Sequence, residues 1–497
     1  MDQLLKSLAS FWPETLLALG LLLVVLVDAA GARWRPACRW LTVATLGASL
    51  LATIDLARHG TSGLIFDGML ALDPLGLFFK LVLVLASLLV VLVFSFENSA
   101  ELRGLGQGEF YALLLALTLS NLLMAAANDL VVLYLALEMV SISSYVMVAY
   151  LKGDRLSNEA SLKYLLFGAV STGAMLYGLS LLFGIAGTTS LQGVREALAA
   201  GFDDSGRLAL YLVTLLIVAG FGFKTALVPF HFWCPDVYQG APTPVTALLS
   251  VAPKAAGFAL LVRFFFGGMT TALSGPSELS AVIDWPSLLM VLSVASMTIG
   301  NLAAVTQTDM KRLLAYSSIA HAGYMLMGAV ALSESGKRGL MIYVLTYLVM
   351  NLGAFLVVTL IHRHEGSFDL RDYSGLFRRQ PLLTVAMAIF LLSLMGIPPL
   401  TGFMGKLYVF AALIEKGPAL WWLAVAGALN AALAAWYYAR VLRVMVIDTG
   451  DERPAWSLPA VDSAWLLLLA AANVLPLFYW ERIEAWAKGS LGLYAGL

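Results

Sequence analysis

The segment GIPPLTGFMGKLYVF, residues 396–410, places two adjacent prolines and three glycines between long apolar stretches, and Lys406 lies just beyond the prolines. Proline has no N–H group and leaves a backbone carbonyl without its helical partner. A lipid bilayer tolerates such a break only where protein or water surrounds it. The segment therefore predicts a broken membrane helix with its lysine in a protein-lined or hydrated interior.

The overall composition indicates the class of protein. Hydrophobic residues make up 60% of the chain, charged residues 12%, and the mean hydropathy is +0.86. These values exclude an ordinary soluble domain. We count about fourteen apolar segments of roughly 20 residues, each long enough to cross a bilayer core of about 30 Å. The first is of full span length, so we expect a membrane helix there and no cleaved signal. The sequence predicts an all-α polytopic membrane protein.

Charge and composition also exclude several function classes. The formal net charge of −1 gives no basis for nucleic-acid binding. Cys38 and Cys234 are too few for an iron–sulfur framework made by this chain alone. The histidines are dispersed, and the closest pair, His362 and His364, is expected to be solvated in a charged loop. We therefore expect no cofactor and no metal in this chain.

Lysine and arginine are unevenly distributed between the two sides of the membrane. Loops after odd-numbered spans hold fifteen of the 30 cations, and the opposite side, which includes both termini, holds ten. Because cytoplasmic loops carry an excess of cations, we expect a multi-pass protein of a bacterial-type inner (plasma) membrane with both termini on the outer side. Five cations remain within apolar segments: Lys80, Lys163, Lys224, Lys254 and Lys406.

Ionisable side chains within membrane helices are costly unless they are paired, hydrated or near a helix end. Lys80 lies near the start of its span, so we expect its side chain to reach the membrane surface. Lys163 follows Glu159 by four residues, which leaves open both a surface ion pair and a functional lysine. Glu138 lies near the middle of its helix, where a functional carboxylate is favoured over a structural ion pair.

Two more of these lysines lie next to prolines. Lys224 precedes Pro229, and Lys254 directly follows Pro253. Discontinuous helices at corresponding points of two repeats form the ion sites of many transporters. The predicted helix breaks are at Pro229, Pro253, Pro398 and Pro399.

A weak internal repeat agrees with this pattern. Lys224 and Lys406 are separated by about 180 residues, and each lies beside a proline break. The segments KYLLFGAVSTGA (163–174) and IYVLTYLVMNLGA (342–354) align at a similar offset.

A buried lysine is suited to proton transfer. Burial favours its neutral form and a nearby carboxylate favours its charged form, so movement of Glu138 relative to Lys224 would load or release a proton. Polar side chains could connect such sites, and His321 is favoured because it both donates and accepts near neutral pH. Each of the others is more often a helix-packing contact. The polar side chains that could carry water between sites also include Ser141, Ser143, Tyr145 and Tyr324. The favoured relay candidates are Ser144, Tyr316, Ser317, Ser318 and His321.

Several segments together closely resemble one known family. They include LEMVSISSYVMVAY, NEASLKYLLFGAVSTGAMLYG, HFWCPDVYQGAPTPVTALLSVAPKAAGFALLVR, DMKRLLAYSSIAHAGYM and GIPPLTGFMGK. The family is subunit N of respiratory complex I, called subunit 2 in mitochondria, and the similarity extends over most of the chain. The string PDVYQGAPTPVTALLSVAPKAA is unlike the corresponding segment of the sister subunits L and M.

The resemblance implies a fourteen-helix antiporter-like fold with two inverted five-helix repeats, in which helices 7 and 12 are broken. It divides the chain into residues 1–107 (helices 1–3), 108–270 (first repeat, helices 4–8), 280–447 (second repeat, helices 9–13) and 460–497 (helix 14 and the tail).

The resemblance also implies a function. It implies proton translocation driven by NADH oxidation and quinone reduction in other subunits, and it favours a functional role for Lys163. Flavin, iron–sulfur clusters, NADH and quinone are expected in partner subunits, which include the antiporter-like subunit M and the small membrane subunits. Membrane lipids are expected at the surface. The residues matching the family's proton-translocating positions are Glu138, Lys163, Lys224, Lys254 and Lys406.

Three alternatives stay open. The first is a subunit of a cation (Na⁺)/proton antiporter, which would use the same buried lysines. The second is a subunit of a related membrane complex driven by ferredoxin, formate or hydrogenase chemistry. The third is a structural scaffold, which is disfavoured because apolar residues would serve that purpose better than five intramembrane cations.

Overall fold

The computed structural model describes residues 2–94, 101–102, 105–201, 204–272, 279–448 and 454–493. Two of the cations used to predict the orientation, Arg103 and Arg453, lie outside this part of the chain. Residues 494–497, at the end of the predicted C-terminal segment, also lie outside it.

Most of the described chain is helical. The α-helices in chain order are α1 (Asp2–Ser10), α2 (Trp12–Ala29), α3 (Arg35–Arg58), α4 (Pro74–Val93), α5 (Gln107–Ala126), α6 (Leu130–Val148), α7 (Arg155–Ala186), α8 (Leu191–Ala199), α9 (Asp204–Thr225), α10 (Trp233–Gly240), α11 (Thr243–Gly268), α12 (Trp285–Val305), α13 (Met310–Val330), α14 (Glu334–Glu365), α15 (Leu376–Arg379), α16 (Pro381–Met395), α17 (Thr401–Lys416), α18 (Trp421–Val446), α19 (Ala460–Val474) and α20 (Trp480–Gly489). Short 3-10 helices cover Ala32–Trp34, Leu370–Tyr373, Pro418–Leu420 and Leu475–Tyr479.

Two short antiparallel hairpins connect membrane helices. In the first, β1 (Gly63–Ile65) pairs with β2 (Leu70–Leu72). In the second, β3 (Thr270–Ala272) pairs with β4 (Leu279–Ala281). Strands of three residues are too short to cross a bilayer, so the hairpins are parts of the connections and not of the membrane bundle.

The helix starts follow from capping. Asp129 accepts hydrogen bonds from the backbone N–H groups of Val131 and Val132, which have no partner within the helix. The other aspartates that cap spans in this way are Asp73, Asp154, Asp284 and Asp309. Each aspartate ends a polar connection and fixes where the next apolar segment becomes helical.

The predicted number of spans is confirmed. Within the described residues, 13 helical segments are long and apolar enough to cross a membrane. Pro381–Met395 is a shorter apolar helix and is the first half of predicted helix 12. Predicted helix 14 consists of α19, a 3-10 turn and α20.

The two predicted broken helices are present. Predicted helix 7 consists of α9 and α10, and the break between Thr225 and Trp233 contains Pro229. Predicted helix 12 consists of α16 and α17, and the break contains Pro398 and Pro399. Both breaks include a cis X-Pro peptide bond.

The predicted break at Pro253 is wrong. Pro253 lies inside α11, which continues from Thr243 to Gly268 without interruption. A single proline removes one backbone hydrogen bond, and neighbouring helices surround this one over its whole length. The bundle therefore keeps the helix intact where the sequence alone predicts an end.

The centre of the bundle consists of three helices. The spans of α11, α13 and α14 are 100%, 94% and 83% buried, whereas the spans of α2, α3 and α18 are 28% buried. Polar residues on α11, α13 and α14 are thus shielded from lipid by other helices. The functional side chains predicted at Lys254 and His321 lie on this central group.

Candidate functional site

Lys406 is held by the helix break that precedes it. Its Nζ donates hydrogen bonds to the carbonyl oxygens of Met395 at 2.7 Å and Leu394 at 3.2 Å. These carbonyls are at the C-terminal end of α16, where backbone acceptors have no helical partner and the helix dipole favours a cation. Lys406 therefore lies in a protein-lined interior beside the helix break, as the sequence predicts.

Gly396 makes this approach possible. Its backbone has a φ of +87°, a region that favours glycine. A Cβ atom at this position would lie 2.7 Å from Cδ of Lys406. A side chain here would both strain the turn and displace the lysine from the carbonyls.

An aromatic ring completes the surroundings of Lys406. The Nζ lies 4.8 Å from the ring centroid of Tyr324 on α13, within the range of a cation–π interaction. The lysine is buried, and among the described contacts its charge is balanced by carbonyls and a ring.

Lys254, on α11, also contacts α13. Its Nζ donates a hydrogen bond to the hydroxyl of Ser318 on α13. The ring of Tyr238 lies 5.8 Å from the Nζ, and the Tyr238 hydroxyl is 3.5 Å from that of Ser318. All three side chains are buried.

His321 lies between these two lysine sites. Its Nδ1 is hydrogen-bonded to the Tyr343 hydroxyl at 2.9 Å, and its Nε2 to the Tyr438 hydroxyl at 3.2 Å. Tyr438 is also hydrogen-bonded to Ser317. The ring centroid of His321 is 6.0 Å from that of Tyr324, the ring below Lys406.

One face of α13 therefore connects the two lysines. Ser318, His321 and Tyr324 are spaced by three residues and share that face. We call Lys254, Ser318, His321, Tyr324 and Lys406 the central array. Four of its five members were predicted as functional residues or favoured relay candidates, and Tyr324 was named among the polar side chains that could carry water.

Lys224 is buried but is not in contact with Glu138. Its Nζ donates a hydrogen bond to the Ser141 hydroxyl on α6 at 3.3 Å. Glu138 lies one turn before Ser141 on that helix, half-buried, and its Oε1 is a buried atom with no hydrogen-bond partner in the described residues. The predicted ion pair is thus open in this structure, and a serine occupies the position beside the lysine.

Lys163 lies apart from the central array. Its side chain is 38% exposed and forms ion pairs with Glu159 at 2.8 Å and Asp236 at 2.6 Å. Asp236 also pairs with Arg312 at the start of α13. The predicted i,i+4 pair is present, within a surface network that joins α7, α10 and α13.

Two predicted relay residues do not join the central array. The Ser144 hydroxyl donates back to the carbonyl of Val140 in its own helix. Tyr316 is half-buried and packs against the apolar core.

Comparison with known proteins identifies the family. Residues 127–433 match the family described as NADH:quinone oxidoreductase/Mrp antiporter, TM. NADH-quinone oxidoreductase subunit N of Anaeromyxobacter sp. (strain Fw109-5) is 44% identical over 100% of this chain and 99% of its own length. The chain belongs to the subunit N family. NADH-quinone oxidoreductase subunit N 2 of Sorangium cellulosum (strain So ce56) is 42% identical over 98% of both chains.

Solved structures confirm the antiporter-like fold predicted for this subunit N chain. A chain of respiratory complex I from Thermus thermophilus with bound aureothin is 31% identical, with a TM-score of 0.79 over 96% of this chain and 100% of that one. A chain of the Mrp complex from Dietzia sp. DQ12-45-1b is 19% identical, with a TM-score of 0.81 over 97% of both chains, and shares the fold alone.

The prediction for Lys80 is wrong in this subunit N chain. Its side chain does not reach the surface but forms an ion pair with Glu14 at 2.6 Å, with exposures of 1% and 0%. The two residues lie on α4 and α2, far apart in sequence. A single sequence gives no signal for such a pairing.

Three further cations that we assigned to loops are buried in this member of the subunit N family. Arg263 forms two hydrogen bonds with Asp73, at 2.7 and 2.8 Å. Lys311 donates to the carbonyl of Ala241 at 2.6 Å, and Lys337 lies 5.4 Å from the ring of Phe266. Their positions near helix ends suggest solvation, and only the packing of the bundle reveals the burial.

No group of three or more His, Cys, Asp or Glu side chains that could hold a metal ion occurs among the described residues of this subunit N chain.

Proposed function

We propose that this chain is the antiporter-like subunit N of an NADH-quinone oxidoreductase and that it translocates protons through its buried lysines. The observation that carries the proposal is the central array, in which a histidine with both ring nitrogens hydrogen-bonded lies between two buried lysines at the centre of the bundle. Buried polar and ionisable side chains in a membrane protein mark ion pathways, because their burial is otherwise unfavourable.

His321 transfers the proton between the two lysine sites in this proposal. Each ring nitrogen faces a tyrosine hydroxyl, and imidazole accepts a proton on one nitrogen while it releases another from the second. In the proposed path a proton passes from Lys254 through Ser318 and His321 to Lys406. The carbonyls of the α16 end stabilise the ammonium form of Lys406 until the proton leaves.

Glu138 and Lys224 form the proposed switch. Ser141 and Glu138 are one turn apart on α6, so a small shift would move the Lys224 ammonium from the hydroxyl to the carboxylate. An ion pair favours the protonated lysine, and its loss favours release of the proton. Glu138→Ala and Lys224→Ala should each depress coupled turnover strongly, and near-normal pumping by both variants would contradict the switch.

The redox chemistry belongs to other subunits in this proposal. NADH, flavin, iron–sulfur clusters and quinone are assigned to partner subunits, among them the antiporter-like subunit M and small membrane subunits. The proposed site is the inner (plasma) membrane, with lipids around the apolar surface and both termini on the outer side. We retain the division into residues 1–107, 108–270, 280–447 and 460–497, and Lys163 as part of the surface network that leads to α13.

The first experiment is isolation of the tagged chain from its native membrane under mild conditions. We expect an assembly with flavin and iron–sulfur signals that reduces quinone with NADH and acidifies one side of reconstituted vesicles. A small assembly without redox centres would contradict the proposal.

The fold shared with the Mrp complex chain keeps a second candidate function, that of a cation/proton antiporter subunit. Sodium-dependent proton movement in vesicles without an electron donor would favour it. Proton movement that requires NADH and does not depend on sodium would exclude it.

A further inference from the structure

A second group of ionisable side chains surrounds the junction between α10 and α11. We call Glu101, Lys311 and His362 the junction cluster. Lys311 is buried and its Nζ lies 2.6 Å from the carbonyl of Ala241, at the end of α10. Glu101 accepts a hydrogen bond from the backbone N–H of Thr243, at the start of α11, at 2.7 Å.

The members of the junction cluster share contacts. The Lys311 Nζ is 3.8 Å from Oε1 of Glu101. It also lies 4.6 Å from the ring of Phe368, on which His362 stacks at a centroid distance of 3.9 Å. The ionisable groups that act electrostatically on Lys311 are Glu101, Asp154, Asp309 and His362.

The junction cluster is on the side of the membrane predicted to be cytoplasmic. Glu101, Lys311 and His362 lie at or beside connections that follow odd-numbered spans. Glu101 keeps 12% of its side chain exposed, whereas Lys311 keeps 1%. The carboxylate of Glu101 is therefore accessible to water, and the ammonium of Lys311 lies in the interior of the bundle.

A polar stripe on α11 leads from the junction cluster to the central array. Thr246, Ser250 and Lys254 are spaced by four residues and share one helix face. The distance from Thr243 to Lys254 is about 16 Å along the helix axis, at 1.5 Å per residue. The three side chains are buried, so the stripe is an internal feature and not a solvated surface.

A second stripe on α14 runs beside the first. Asn351 donates a hydrogen bond to the Ser250 hydroxyl at 2.6 Å. Tyr343 and Tyr347 lie on the same face of α14, and both rings contact His321. The two stripes thus meet the central array at Lys254 and at His321.

Unpartnered polar atoms along this route call for water. Thr243 Oγ1 and Asn351 Oδ1 are buried and have no hydrogen-bond partner within the described residues. An unsatisfied buried polar atom is unfavourable, and a bound water is the usual way to satisfy it. Pro253 adds a further acceptor, because it has no N–H group for the carbonyl of Leu249.

We infer that the junction cluster is the proton-uptake site of this chain and that the α11 stripe carries protons from it to Lys254. Glu101 takes a proton from the cytoplasmic side and transfers it toward the buried groups, and Lys311 holds the carboxylate in place. The inference rests on the proposed function, since it supplies the central array with protons.

The test uses the assembled complex reconstituted into vesicles, with NADH-driven quinone reduction and proton translocation as readouts. We expect Glu101→Ala and Lys311→Met to lower coupled turnover about tenfold, since a positioned proton-transfer group contributes at least that much. Matched controls are Asp448→Ala, which removes a partly exposed carboxylate paired with Arg443, and Lys152→Met, which removes an exposed ammonium, both on the same side. Formate, a small weak acid, should restore turnover in Glu101→Ala and should not accelerate the wild type.

Ser250→Ala tests the stripe without a change of charge. It removes the hydroxyl that accepts from Asn351, and we expect a loss of about threefold. Ser87→Ala is the matched control, because it removes a buried hydroxyl that accepts from Thr118 away from the stripe.

Several results would overturn the inference. One is normal turnover in assembled Glu101→Ala, and another is a loss that formate leaves unchanged. If both junction variants fail to assemble, unchanged turnover in Ser250→Ala overturns it. Loss of pumping in Lys406→Ala together with normal pumping in Glu101→Ala would refute only the uptake site, whereas normal pumping in both would refute the proposed function itself.

Discussion

Both broken helices combine a proline break with a nearby lysine, but the two lysines are bound differently. At the second break, the carbonyls of Leu394 and Met395 are available and Lys406 binds both. The first break is closed by the same backbone hydrogen bonds, because Leu227 donates to the carbonyl of Gly222 as Ile397 donates to that of Leu392. The difference is the position of the lysine: Lys224 lies in the last turn of α9, before its break.

This difference decides what each lysine can do. Lys224 precedes its break, so its side chain leans toward the N-terminus of α9 and away from the break, and it donates to Ser141 on another helix. Lys406 follows its break and is bound by the break itself. A proline break by itself therefore does not make a cation site, and the position of the lysine before or after the break determines whether it becomes one.

The largest effect is expected from Lys406→Ala. It removes the cation that the second break is built to bind, and we expect coupled turnover to fall by about tenfold or more, as for loss of a proton-transfer group. NADH-driven acidification in reconstituted vesicles measures it. The control is Lys416→Ala at the end of the same helix, whose Nζ contacts only the Leu332 carbonyl at 3.4 Å among the described hydrogen bonds. Equal, small losses in both variants would mean that the second break has no special role.

Gly396→Ala should break the second site without removal of the lysine. The new Cβ would meet Lys406 Cδ at 2.7 Å in a backbone conformation that alanine disfavours, and we expect a loss of stability of about 1–3 kcal/mol. Thermal inactivation of the purified assembly measures the change, and turnover should fall with it.

Gly366→Ala is the control for Gly396→Ala, because it introduces backbone strain without a steric contact. Gly366 has a φ of +72° and nothing within 4 Å of its Cβ position. It should therefore destabilise the assembly less and leave turnover unaffected. Similar turnover in the two glycine variants would argue against a steric role for Gly396.

A smaller effect is expected at the first break from Ser141→Ala. The variant removes the hydroxyl that Lys224 uses, and we expect a loss of about threefold in coupled turnover, below the cost of a lost hydrogen bond to a charged group. The loss is limited because Glu138, one turn away, is able to replace the serine. Ser144→Ala is the control, since that hydroxyl donates to the carbonyl of Val140 in its own helix and has no described contact with Lys224. A loss equal to that of Lys406→Ala would show that the serine is essential and not an alternative partner.

Lys163→Met should have the smallest effect. The ammonium is partly exposed, and its partner Asp236 keeps an ion pair with Arg312. Exposed i,i+4 ion pairs such as that of Lys163 with Glu159 contribute about 0.3–0.5 kcal/mol, so we expect less than a threefold change in turnover. A loss as large as that of Lys224→Ala would mean that the surface network is part of the main proton path.

Much of the site could be predicted from the sequence because membrane burial penalises charge. Lys254 and Lys406 stand out in apolar segments, and His321 stands out on a polar face of α13. The break at Pro398 and Pro399 was predictable because two adjacent prolines cannot continue a helix. The intact helix at Pro253 was not, since a single proline is tolerated when other helices enclose it.

Pairings between distant segments were the least predictable part. Lys80 meets Glu14, and Lys311 meets Glu101, although nothing in the local sequence connects them. For Lys163 the local signal indicated Glu159, and the structure adds Asp236 from another helix. A local pattern records only neighbours along one helix, so it misses every partner contributed by a second one.

The sequence by itself determined the membrane class, the fourteen helices, the two broken ones and the burial of Lys224, Lys254 and Lys406, because hydropathy, helix length and proline chemistry act locally. Only the tertiary structure decided which lysine binds carbonyls, which binds a hydroxyl and which remains at the surface. It also decided that Lys254, His321 and Lys406 share one array. The reason is physical: the cost of a charge in a membrane can be read from its own segment, but the groups that offset that cost come from other helices.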